Sequence, residues 1–417
     1  MFTKMKSPFL IVFVLFYLSS EAQTPVYFNI VSHNEITDSL KYATNSADFA
    51  YIKTQLLELC DTIISKHAKY NMQLDANFIL GALNFDDAAD SPDDIIEWAH
   101  NSPYIDVDGH NHFDPIVNPY NYSDLAKLLD SCGVVMTRKV LGSNWANPTQ
   151  TWTQYQTPQA GYTYTDYYWQ PEILWGMASP GHVNDLDVFG VWKPLSPNSD
   201  QLFLQHNPGN ALTAIGGGCK NDVSYTLNVQ TGDLKLSTQQ VVENIKGIVD
   251  YIQTLPPGQN DFYTMNMLIN FRDIPQIPSF ADSIGSIIDG LQDYVDQGKI
   301  VWATLGEKYD LWYAEHTDPN DYFNYDCEGV SLDVNDELSA QNLIQIYPNP
   351  AHRELHIVLK EQSDVAISVV NLSGTIVYEK TLSGADSYSL DLNLPKGLYF
   401  IFVTQDDSLF AEKIILN

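Results

Sequence analysis

The chain is 417 residues long and 44% hydrophobic, with 52 acidic against 21 basic side chains and a formal net charge of −31. That length can bury a large core and leaves room for more than one domain, while the acidity, almost all of it between residues 23 and 342, argues against a phosphate backbone as partner, so no nucleic acid is expected. The four cysteines, at 60, 132, 219 and 327, show no Cys-x-x-Cys spacing; a cysteine metal site is not expected, and in an exported chain they tend to pair, with a connectivity that spacing alone does not give.

The first 22 residues have the form of a secretory signal peptide: Lys4 and Lys6, an apolar run over 9–18 and a Ser-Glu-Ala site ending at Ala22. The run is well short of the roughly 20 apolar residues that span a bilayer, and no other stretch is a transmembrane candidate. From residue 26 to 312, short β runs alternate with helical ones. VYFNIVSHNE (26–35) precedes a helix over 49–70, in which Ile52, Leu56, Leu59, Ile63 and Ile64 recur at helical spacing. A strand MQLDANFILGAL (72–83), a helix over 92–101, a strand YIDVDGHNH (104–112), a helix over 122–133 and a strand VVMTRKVLG (134–142) follow. After a stretch of different texture come a helix over 237–255, a strand FYTMNMLINFRD (262–273), a helix over 280–298 and a strand KIVWATLGEKYDLW (299–312). Such alternation predicts a parallel α/β sheet or barrel.

The strands carry a second regularity. Asn29, His33 and Glu35 share one parity, as do Gln73, Asp75 and Asn77, then Asp106, Asp108, His110 and His112, and finally Thr264, Asn266, Asn270 and Arg272, while the opposite parities are nearly all apolar. Buried parallel strands ordinarily read as unbroken apolar runs, so one face here is wet or catalytic. A barrel whose interior opens into a polar cleft at the strands' C-terminal ends accounts for it. An antiparallel sheet with one solvated face would alternate too, but the intervening helices oppose it.

Residues 144–230 are dense in Tyr, Trp, Thr and Gln and predict long loops decorating the barrel. Exposed aromatics there either stack on sugar faces or pack the loops. AIGGGC (214–219) lacks the strand-to-helix setting of a phosphate loop and predicts a tight turn. Residues 327–342 form a polar linker, and from 343 to 417 β runs split by turn residues predict a small all-β sandwich.

Two resemblances add to this reading. YPNP (347–350), NLSGTIVYE from Asn371, LPKGLYFIFV from Leu394 and the terminal EKIILN occur in order, and the segment closely resembles the C-terminal sorting domain, type A, of the bacterial type IX secretion system. That resemblance implies the secretion machinery as partner, export across the outer membrane, then removal of the domain and release or attachment at the cell surface. The region before it resembles the polysaccharide deacetylase superfamily: a polar cluster follows the first strand, a histidine motif the third, Arg138 lies on the fourth, and a helix and strand close the order. Where that family has two adjacent aspartates the chain has SHNE, with His33 and Glu35; where it has His-x-x-x-His the chain has His110 and Asp114, with His112 between them. The implied fold is a distorted (β/α) barrel of the glycoside hydrolase/deacetylase type, followed by a small Ig-like sandwich, and the implied activity is removal of acyl groups from a polysaccharide or oligosaccharide.

Hydrolysing an amide or ester calls for a polarised carbonyl, an activated water and a proton for the leaving group, and a divalent metal, zinc first, supplies the first two. His110 and His112 on one strand face can reach one ion together, and His33 is the third candidate ligand or else a satisfied structural histidine. Glu35 and Asp75 are candidate bases. Arg138 takes the place of the family's arginine that orients a catalytic aspartate, or forms a surface ion pair. Asp106 and Asp108 share the histidines' face, Asp106 as a group orienting a ligand histidine. Asp114, Trp175 and His206 complete the candidate site, with Trp175 and Glu172 contacting sugar or simply packing. Two other readings stay open: a metal-free glycosidase using two carboxylates such as Glu35 and Asp75, and a glycan-binding protein on a barrel without activity.

Overall fold

A computed structural model describes residues 24–33, 42–86, 92, 94–134, 138–142, 152–175, 186–219, 223–228, 231–327, 344–347, 351–371, 375–405 and 408–416. The expected signal peptide, Glu35 and most of the expected linker lie outside the described residues. The chain divides into one unit reaching Leu332 and a second from Asp333.

In the first unit, β1 (Val26–His33) leads through α1 (Ser46–Ser65) to β2 (Tyr70–Leu74), then α2 (Ala76–Phe85), α3 (Ile95–His100), β3 (Ile105–His110), α4 (Tyr122–Ser131) and β4 (Val140–Gly142). Asn45, Asp75, Asp94 and Asn121 start the four helices, each accepting first-turn backbone N–H groups with its side-chain oxygen. A short hairpin, β5 (Gln159–Ala160) and β6 (Tyr168–Trp169), precedes β7 (Ile173–Trp175), β8 (Val188–Trp192), α5 (Asp200–Leu204) and β9 (Thr213–Ile215). The unit ends with α6 (Thr238–Thr254), β10 (Tyr263–Asn270), α7 (Phe280–Asp296), β11 (Ile300–Trp302), α8 (Leu305–Glu315) and β12 (Phe323–Asp326).

The strands line up as β10-β1-β2-β3-β4-β7-β9, all parallel, with β8 and then β12 added antiparallel and β11 pairing the first half of β1. The sheet nearly closes on itself at the glycine run after β9. Gly216 N donates to Gly190 O, Gly218 N to Val188 O, and Asn266 N on β10 to Gly217 O. A Cβ at Gly216 would sit 2.2 Å from Val188 O, and Gly218 has φ +75, so glycine is what lets three backbones meet. One sheet face, with Phe28, Ile30, Tyr70 and Met72, packs on helix residues such as Leu56, Ile63 and Ile284. The other encloses Val31, Val140, Ile173, Trp175, Ile215 and Leu268, and Leu305 and Trp312 of α8 join them.

The structure corrects three expectations. The second strand stops at Leu74, because Asp75 Oδ1 takes the N–H of Phe78 at 2.8 Å and begins α2, where Phe78, Ile79 and Ala82 bury at helical spacing. The last strand stops at Trp302, because Thr304 and Glu307 form a capping box that opens α8. The region expected as loops, 144–230, contributes β7, β8 and β9 to the main sheet, and the AIGGGC turn is the barrel's seam. Cys219 and Cys327 form a disulfide across this unit, while Cys60 and Cys132 are buried thiols.

The second unit comprises β13 (Ile344–Tyr347), β14 (Glu354–Asn371), β15 (Ile376–Asp391), β16 (Gly397–Gln405) and β17 (Ser408–Leu416), antiparallel throughout. The early part of β14 pairs with β13 and its later part with β16, and register shifts between Val358 and Val365 separate the two. Leu355 and Ile357 from the early part of β14, Ile367 from its later part and Ile401 and Val403 of β16 share one core.

Candidate functional site

The parallel strands deliver their last residues to one end of the barrel. His33 stands in register with Gln73 and Asn270, His110 with Gly142, and Gly142 with Trp175. The His33 and His110 rings stack with centroids 4.0 Å apart and planes 18° apart, and Trp175 meets the His33 ring edge-on at 5.2 Å. His110 Nε2 lies 3.3 Å from Nε2 of the exposed His112. That separation suits an N–H···N hydrogen bond between neutral rings, and equally two ligands of one ion, because nitrogens about 2.0–2.1 Å from zinc at a tetrahedral angle stand roughly 3.3 Å apart. Among the described residues, no group of three or more His, Cys, Asp or Glu side chains is arranged to hold a metal ion.

Beside the histidines lies Gln73, fully buried, and neither its amide oxygen nor its nitrogen has a hydrogen-bond partner among the described residues. It rests against Gly142, where a Cβ would come within 2.9 Å of its Oε1. An orphaned buried polar group costs about 1–3 kcal/mol, which a water or ligand removes. Trp175 Nε1 donates to Asn266 Oδ1 at 3.2 Å, and Asn266 Nδ2 lacks a partner among the described residues.

Below this mouth a series of polar side chains is bonded within the protein. Lys308 Nζ, from α8, donates to Asn29 Oδ1 at 2.6 Å and Met265 O at 2.9 Å; Asn29 Nδ2 donates to Asn71 Oδ1 at 2.8 Å, and Asn71 Nδ2 to Asp108 Oδ2 at 2.7 Å. Burial holds the Lys308 ammonium well below the ordinary lysine range and pushes the Asp108 carboxyl well above the carboxylate range. Burial likewise raises Asp106, partly offset by bonds from the Thr304 hydroxyl and the Gly306 N–H at the start of α8.

The candidate residues thus separate. His33, His110 and His112 come together, and Trp175 joins them as a fully buried wall, not an exposed sugar platform. Asp108 reaches Asn71 and Asp106 reaches α8. Asp75, the cap of α2, lies on the rim of a cavity of about 280 Å³ with Asn77, Asn118 and Tyr120. Asp114 is exposed and accepts the N–H groups of Ile116 (2.7 Å) and Val117 (2.9 Å), which lowers its pKa and shapes a turn. Arg138 precedes β4, at the strand end opposite the histidines; it donates to Asp310 of α8 and, at 2.9 Å, to Glu172, over the Tyr309 ring. His206 accepts from Lys193 N at 3.1 Å and stacks on Tyr322, apart from the histidine cluster. Glu35 falls outside the described residues. The polar parity includes Gln73 and Asn266 without assigning them a role, and nothing in it points to Lys308, whose segment reads as strand.

No curated protein matches the chain in sequence. Among solved structures, a protein from Parabacteroides distasonis described as a candidate glycoside hydrolase/deacetylase is 6% identical over 95% of this chain and 86% of that one, with a TM-score of 0.42. A protein with an immunoglobulin-like β-sandwich fold from Bacteroides vulgatus is 15% identical over 18% of this chain and 84% of that one, with a TM-score of 0.17. No helix among the described residues is long and apolar enough to cross a membrane. Residues 345–417 match the family described as the secretion system C-terminal sorting domain, so the chain ends in a type IX secretion sorting domain.

Proposed function

We propose that the barrel is a metal-dependent hydrolase that removes acyl groups from a glycan outside the cell. The observation that carries this is the convergence of His110 and His112 at 3.3 Å, beside a buried amide awaiting a partner, at the end of the parallel strands where such barrels do their chemistry. His110 and His112 would hold a divalent cation, zinc first, with His33 or Glu35 completing the set; when bound, such an ion polarises a carbonyl. His33, stacked on His110 and braced by the Trp175 edge, fixes the orientation of the His110 ring. Gln73 is placed to bond an amide or hydroxyl of substrate, and Asp75 on the rim or Glu35 would serve as base. The sorting domain would deliver the enzyme to the outer surface and then be removed.

Protein purified without chelator is expected to carry about one equivalent of metal, and His110→Ala and His112→Ala to lose it together with acetate release, on the order of a hundredfold or more in kcat/KM. Their melting temperatures should stay near wild type, because residues at strand ends contribute chemistry more than packing. Metal-free wild-type protein that gains no activity from zinc, cobalt or nickel would sink the reading, and free sugar in place of acetate would point to a glycosidase. Deleting residues 343–417 should leave the isolated enzyme active yet absent from the surface of its own host; surface delivery without them overturns the sorting role.

A further inference from the structure

The stretch before β7 builds a second feature next to the histidines. Asp124, in the first turn of α4, is fully buried, and its carboxylate accepts four successive or neighbouring backbone N–H groups: Asn121 at 2.8 Å, Tyr162 at 2.9 Å, Thr163 at 3.1 Å and Tyr164 at 2.7 Å. Thr163 Oγ1 ties the same loop to Pro119 O at 2.5 Å. Gly161 lets the loop approach, since a Cβ there would fall 2.3 Å from Asp124 Oδ1. A buried carboxylate is tolerated only when its oxygens are this fully bonded, so the loop over 161–164 is held in one conformation.

What the loop holds up is an exposed ring. Tyr162 is 51% exposed, its ring centroid 5.1 Å from that of Phe113, the residue directly after His112. With Tyr155, Gln154, Gln159 and Asn121 these two line a cavity of about 230 Å³. Tyr122, also on its wall, donates to Gly142 O at the end of β4, which ties this wall to the strand end beside His110. Packing does not require a half-exposed tyrosine to be fixed this firmly. Among the described residues no charged side chain lines the cavity, and the walls combine flat rings with amides, which suits a ligand with apolar faces and neutral hydroxyls around its edge.

We infer that this cleft is a subsite for a neutral sugar ring of an extended glycan, with Tyr162 as the stacking platform and Asp124 as the residue that positions it. The inference rests on the carbohydrate reading of the barrel mouth and extends it to substrate class. It is tested with the full-length protein on an array of neutral and acidic glycans, followed by affinity measurements on the neutral glycans retained. Wild type should bind neutral and not acidic glycans; Tyr162→Ala should weaken binding about tenfold or more, and Tyr162→Phe, which keeps the ring, should restore it. Asp124→Asn should weaken neutral-glycan binding in the same direction as Tyr162→Ala and raise KM on a polymeric substrate proportionally more than it lowers kcat. Because binding needs no turnover, His110→Ala should bind like wild type. Binding that follows this pattern in a protein without metal or acetate release keeps the subsite and removes the hydrolase. Wild type that retains no neutral glycan, or Tyr162→Ala that binds as tightly as wild type, overturns the subsite, whatever the activity.

Discussion

The two ends of one barrel treat buried polar groups in opposite ways. At the floor, α8 inserts Leu305 and Trp312 into the interior and supplies Lys308, whose ammonium begins a bonded series through Asn29 and Asn71 to Asp108. Arg138, Asp310 and Glu172 close that end from outside. At the mouth, on the same strands, Gln73 has no partner for either amide atom among the described residues, and two histidine nitrogens converge. The floor resembles a completed network whose members hold one another in place, and the mouth a network missing one participant. Both ends were polar in the sequence; what separates them is whether the partners are inside the protein.

That contrast is tested most severely at Lys308. Lys308→Met removes a donor from both Asn29 Oδ1 and Met265 O, two buried acceptors, at a cost on the order of 2 kcal/mol or more. The loss should depend on pH. The folded-state pKa is depressed, so between that lowered value and the ordinary lysine value of about 10.4 the unfolded chain holds a proton that the folded chain does not, and wild-type stability rises with pH across that window. Methionine has no such slope, so the gap in unfolding free energy between wild type and variant should widen as pH is raised toward 10. Activity per folded molecule should stay near wild type. A variant as stable as wild type, or a gap that does not move with pH, would mean that the floor is not the closed network described.

The polar parity of β1, β2, β3 and β10 was legible because period-two alternation in a chain of βα units has few explanations, and it located the interior and the mouth histidines. It could not distinguish mouth from floor: Asp106 and Asp108 share the parity of His110 but bond downward, to α8 and Asn71. Whether an acid orients a histidine or caps a helix depends on what arrives from far along the chain. α8 lies more than 190 residues beyond β3, and its GEKYDLW segment reads as a continuation of the β run over 300–302 that precedes it. Asp75 shows the local version of the problem. Its parity continued the strand pattern, yet an aspartate followed by Ala76 and Phe78 also starts a helix, and the cap prevailed. The seam at Gly216, Gly217 and Gly218 was illegible for a further reason, since close approach of three backbones leaves no side-chain signal beyond the absence of side chains.

The smallest expected change in stability is the most informative about the mouth. Gln73→Met keeps the length and approximate shape of the side chain while deleting an amide that has no partner among the described residues. Removing a bonded amide from a core costs stability, but removing an orphaned one relieves a desolvation penalty, so the free energy of unfolding should stay level or rise by up to about 1 kcal/mol. The same substitution should lower kcat/KM about tenfold or more, because the amide's missing partner on this account is substrate or a water that substrate displaces. Thermal unfolding and turnover measured on one preparation separate the two effects. If Gln73→Met unfolds several degrees below wild type, the amide is already satisfied within the protein. The mouth would then be a second floor, built for structure, and the site would have to be sought elsewhere on the barrel rim.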